Sequence, residues 1–74
     1  MVMLEPQQIH ELRLALAMSF AEMAVYITKA GVPTTEATVR RWEKGERHPR
    51  WDAAKILGKL WEDAKRDGKL LQSA

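Results

Sequence analysis

The amino-acid sequence predicts an all-α fold, a compact bundle of four to five helices, and three observations carry that prediction. Apolar residues recur at three- and four-residue intervals along the chain, and no alternating strand pattern runs through it. Cap and stop residues punctuate it at Ser19, Gly31, Thr34-Thr35, Gly45, Pro49 and Asp67-Gly68. Its 74 residues hold one small domain, and 46% apolar against 30% charged residues makes that domain globular rather than disordered. The expected layout is a single unit over 1–74, with a core from about 6 to 67 and a short tail over 68–74.

The first helix is expected to begin at Pro6, where the missing N–H costs nothing, with Ile9, Leu12 and Leu16 as its apolar stripe. Ser19 reads as the cap of a second helix that places Phe20, Met23, Ala24 and Ile27 on one side. Gly31, suited to a left-handed residue, stops it. Val32-Pro33-Thr34-Thr35 makes a turn in which Thr34 or Thr35 caps a third helix, Glu36 to Lys44, ended by Gly45. A fourth helix follows Pro49, with Ala53, Ile56, Leu57, Leu60 and Ala64 spaced for burial. Trp42 shares a face with Val39 and is assigned to the core. Trp51 and Trp61 are left open between partial burial and, for Trp61, a subunit contact.

Composition narrows the function classes. The absence of cysteine excludes a disulfide framework and any thiolate zinc site. His10 and His48 have no i, i+4 ligand partner, and Ser19 is a cap rather than a nucleophile. Catalytic, metal-binding and cofactor-binding residues are therefore all expected to be none, and the chain is not expected to be an enzyme. The longest apolar run, Met23 to Ile27, is too short to span a bilayer, and the N-terminus lacks the basic region of a signal peptide. Neither a membrane nor a small-molecule substrate is expected as partner.

Charge is concentrated instead. Residues 39–50 hold five of the twelve Lys and Arg against two acids, Glu43 and Glu46. The remainder carries seven bases against eight acids, so the basicity belongs to one element, the footprint of a polyanion partner. At roughly 100° per residue, Glu36, Ala37, Arg40, Arg41 and Lys44 fall within one arc of about 140°, and Val39 and Trp42 fall opposite. Such a helix presents arginines outward, and arginine pairs bidentately with guanine in the major groove of duplex DNA.

These residues resemble a known family. Arg13, the segment Ser19-Phe20-Ala21-Glu22-Met23-Ala24, the run Thr38-Val39-Arg40-Arg41-Trp42-Glu43-Lys44-Gly45 and Pro49 look like the Cro/phage-repressor (XRE-type) helix-turn-helix domain. The resemblance covers about residues 7 to 60. It implies a lambda-repressor-like bundle in which Thr35, Glu36, Ala37, Arg40 and Arg41 lie near base edges. It further implies that Arg47, His48 and Arg50 touch sugar-phosphate, with Lys44 and Ser19 as further backbone contacts, and that Arg13 pairs with Glu43. Two departures stand out. The spacing from Ala24 to Val39 is about five residues longer than the family's, which must either lengthen the second helix by about a turn or enlarge its connection to the third. Phe20 occupies a position where the family often has a Gln that buttresses a backbone contact.

The function implied is a sequence-specific double-stranded-DNA-binding transcriptional regulator, a repressor of the kind carried by phages and other mobile elements. It would act in the cytoplasm of a bacterial cell or phage-infected host. One motif reads few base pairs, so a homodimer is expected, with Leu57, Trp61, Ala64, Leu70 and Leu71 as its contact. The rival readings are an architectural or excision factor, a DNA-binding antitoxin and, from another class, a protein-interaction module whose basic face answers an acidic protein.

Overall fold

The computed structural model describes residues 4–70. Among them are four helices and no strand: α1 (Pro6–Ala15), α2 (Phe20–Lys29), α3 (Glu36–Lys44) and α4 (Trp51–Arg66). Pro6 opens α1, and the Glu5 backbone N–H donates to Gln8 Oε1 at 2.8 Å. The helix closes through Ala17, whose φ of 55° puts an L-residue in the left-handed region. That conformation lets Met18 N–H reach the Arg13 carbonyl at 3.0 Å.

Ser19 caps α2 reciprocally with Glu22. Glu22 N–H donates to Ser19 Oγ at 3.1 Å, and Ser19 N–H donates to Glu22 Oε1 at 2.8 Å. Gly31, at φ 116°, terminates the helix, with Val32 N–H returning to the Ile27 carbonyl. Residues 30–35 then lead to α3. The Thr28 hydroxyl holds this connection, accepting from Thr34 N–H at 3.0 Å while lying within bonding distance of the Ala24 and Thr34 carbonyls. Of the two candidate caps, Thr35 serves α3, its Oγ1 accepting from Thr38 N–H at 3.2 Å. Thr34 instead donates to the Val32 carbonyl. Gly45 at φ 77° ends α3 and returns Glu46 N–H to the Arg41 carbonyl.

The core is built from all four helices: Ile9 and Leu12, then Met23 and Ile27, then Val39 and Trp42, then Leu57 and Trp61. It extends past the limits expected from sequence at both ends, because Leu4 and Leu70 are also buried in it. A small bundle exposes much of its surface, and apolar residues flanking the helices close the ends. On α4 the buried stripe includes Ala54, Gly58 and Trp61, whereas Ile56 and Leu60, expected inside, sit half-buried at its margin.

That stripe corrects the expected dimer contact. Leu57, Trp61, Ala64 and Leu70 are all buried within the single chain and offer no free surface; Leu71 lies outside the described residues. The reason is arithmetic of area: α4 closes the core against α1, so its broadest apolar face is consumed internally. No helix among the described residues is long and apolar enough to cross a membrane.

Candidate nucleic-acid interface

A charged cluster locks α3 to α1. Arg13 Nε donates to Glu43 Oε2 at 2.7 Å, and Nη2 donates to Oε1 at 3.3 Å. Arg13 Nη1 reaches the Met18 carbonyl at 3.0 Å. His10 Nδ1 lies 2.7 Å from Glu43 Oε1, so with an acceptor-only carboxylate facing it this nitrogen is the donor. The Arg13 and Glu43 side chains are only 9% and 6% exposed. No buried side-chain nitrogen or oxygen among the described residues lacks a partner. A pair this enclosed sets helix position more than it adds net stability. His10 is exposed at the surface and also belongs to this cluster, a contact that sequence reasoning did not anticipate. Its i, i+3 spacing to Arg13 on α1 was the available signal.

The outward side of α3 carries the predicted reading residues, and the structure separates the two arginines. Arg40 forms an i, i+4 ion pair with Glu36, with both side chains about half in solvent. Its guanidinium also lies over the Phe20 ring, 5.2 Å from the centroid; that of Arg13 lies 4.0 Å from it. Phe20 thus ties α2 to an arginine of α1 and one of α3 by cation–π attraction. Sequence reasoning placed Phe20 on the apolar side of its helix and noted the missing hydrogen-bond donor, but did not foresee its contact with two arginines. Arg41 and Lys44 are exposed, and neither has a carboxylate partner among the described residues. Ala37 is exposed and small, and Thr35 is exposed at the cap.

The loop cations lie beside this helix. Arg47, His48 and Arg50 are exposed and, with Thr34 and Thr38, line a hollow between the α2–α3 connection, α3 and the start of α4. Buried Pro49 anchors the loop that holds them. Thr38 sits on the flank of α3 next to Arg41, about 60° away around the axis. The Arg47–Arg50 loop therefore extends the cationic surface of α3 rather than standing apart from it. Ser19 lies at the start of α2 with its oxygen accepting from Glu22 N–H, which leaves the hydroxyl hydrogen as its only free donor.

Chemically, this surface offers guanidinium, ammonium and hydroxyl donors on a convex helix and its adjoining loop. Among the described residues no three His, Cys, Asp or Glu side chains converge to hold a metal ion. No family model matches the chain, and neither the curated proteins nor the solved structures provide a match.

Proposed function

We propose that this chain is a sequence-specific double-stranded-DNA-binding regulator, a helix-turn-helix domain of lambda-repressor-like type that reads the major groove with α3. One observation carries the reading: Arg41 and Lys44 are exposed on α3 without carboxylate partners among the described residues, and three further basic side chains gather on its flank. A convex cationic helix of this width fits the major groove, where arginine recognises guanine O6 and N7. The helix pair α2–α3 is joined by residues 30–35, longer than the three- or four-residue turn usual in such motifs. Thr28 offsets that length by bonding across the connection.

The residues divide into roles. Arg41, with Thr35, Ala37 and the Glu36–Arg40 pair, faces base edges. Arg47, His48, Arg50 and Lys44 neutralise phosphates and set register. Arg40 enters DNA only by exchanging or sharing Glu36, and because the pair is solvent-exposed that exchange costs at most about 0.5 kcal/mol. Glu36 in turn repels phosphates less while Arg40 neutralises it. Each copy spans few base pairs, so two copies act on a near-palindromic operator and repress by obstructing polymerase.

Selection of binding sites from random duplex, followed by footprinting, tests this. A defined site should emerge, and Arg41→Ala should weaken binding to it by about 1–3 kcal/mol while leaving the fold intact. Failure to bind any duplex at low salt refutes the reading.

A further inference from the structure

Three tryptophans are present, and they divide sharply. Trp42 and Trp61 are 4% and 6% exposed, whereas Trp51 is 68% exposed. A lone exposed apolar side chain is ordinary on a protein surface. The surroundings of this one are not. Arg47, His48 and Arg50 precede it within four positions, all exposed, and Lys55 and Lys59 follow along the same edge of α4 at i+4 and i+8. The nearby acids are few. Asp52 is half-buried with its carboxylate accepting from Ala53 N–H at 2.8 Å, and Glu46 lies across the turn.

We infer that Trp51 is an apolar nucleic-acid contact, packing its indole on the deoxyribose rim of a duplex beside the phosphates held by Arg47 and Arg50. The inference rests on the DNA-binding reading and adds to it a contact that is neither charged nor base-reading. Charge selects the occupant. A second copy of this chain would bring two basic edges together, and like charges oppose that approach. An acidic polypeptide satisfies the charges but presents no continuous apolar strip between them. A nucleic-acid strand does, because its sugars lie between successive phosphates. Position fits as well: Arg50, at the N-cap position of α4, lines the hollow beside Thr38 of α3, and Trp51 is the next residue in the chain, exposed just outside that hollow. Alanine removes the indole with little risk to the fold, since Trp51 lies outside the core.

Trp51 is its own reporter, because the other two indoles are shielded from solvent quenchers. The experiment measures acrylamide quenching of the intact protein alone, with mixed-sequence duplex at low salt, and with polyglutamate. The expected result is a quenchable fraction that duplex protects, polyglutamate leaves open and Trp51→Phe largely abolishes. In parallel, Trp51→Ala should bind duplex about tenfold more weakly. Its slope of log affinity against log salt should match wild type, since no charge is lost. If duplex binds while Trp51 stays fully quenchable, or if Trp51→Ala binds as tightly as wild type, the inference fails and the DNA reading stands. Equal protection by polyglutamate also overturns it, pointing to an acidic protein partner. Absence of duplex binding at low salt overturns both.

Discussion

Replacing Glu43 by Gln removes the carboxylate on which Arg13 and His10 converge, and the consequence can be worked from the geometry. The Glu43 side chain is 6% exposed and that of Arg13 is 9%, so water cannot readily take the place of the lost charge. Arg13 would keep the Met18 carbonyl and its position over Phe20, but its strongest acceptor would be neutral. Breaking one partner of an enclosed ion pair costs about 3–5 kcal/mol. A domain of this size has a total stability of about 4–11 kcal/mol at 0.05–0.15 kcal/mol per residue. Glu43→Gln should therefore consume a large part of the folding free energy, with α1 and α3 losing their fixed relation. Urea unfolding followed by the fluorescence of buried Trp42 and Trp61 measures this, with an unchanged m-value marking an unchanged transition. The companion variant, Arg13→Met with Glu43→Leu, leaves no charge uncompensated and should recover most of the loss. A cost below about 1 kcal/mol for Glu43→Gln alone would show that water compensates Arg13, and would refute the reasoning.

Arg47→Ala should lower affinity for all duplex sequences alike and reduce the salt slope by about one charge, measured by fluorescence anisotropy across salt concentrations; a loss confined to one base position would contradict a phosphate role. Two left-handed positions should respond in opposite senses. Ala17, exposed at φ 55°, carries the strain of an L-residue there, so Ala17→Gly should gain about 1 kcal/mol and raise Tm by about 4–8 °C. Gly45 at φ 77° has the reverse requirement, and Gly45→Ala should cost about 1 kcal/mol with Tm falling, since any L side chain is strained at that angle. Thermal melts by circular dichroism check both.

Much of the helical order was readable in the chain itself. The cap at Ser19, the stops at Gly31 and Gly45, and the opposition of Val39 and Trp42 to Arg40 and Arg41 all follow from local rules: orphan N–H groups, permitted φ, and a repeat of 3.6 residues per turn. The distribution of charges along the chain placed the positive excess in one element. Thr34 and Thr35 show where such reasoning stops, since either satisfies a cap rule and only the Thr28 bond to the connection decided between them. The core limits missed Leu4 and Leu70 because burial at a chain end depends on what folds over it, not on its neighbours in sequence.

What the amino-acid order determined unaided was therefore local: which segments are helical, where they end, and which side of α3 is polar. The folded molecule alone decided which side chains face each other across helices. It drew Leu57, Trp61 and Ala64 into the interior instead of leaving them for a second copy. It also set Arg40 over Phe20 of α2, left Arg41 without a carboxylate partner among the described residues, and left Trp51 in solvent. The physical reason is range. Caps and periodicity act over three or four residues, whereas burial and ion pairing depend on groups brought together from distant parts of the chain, such as Arg13 and Glu43, thirty positions apart.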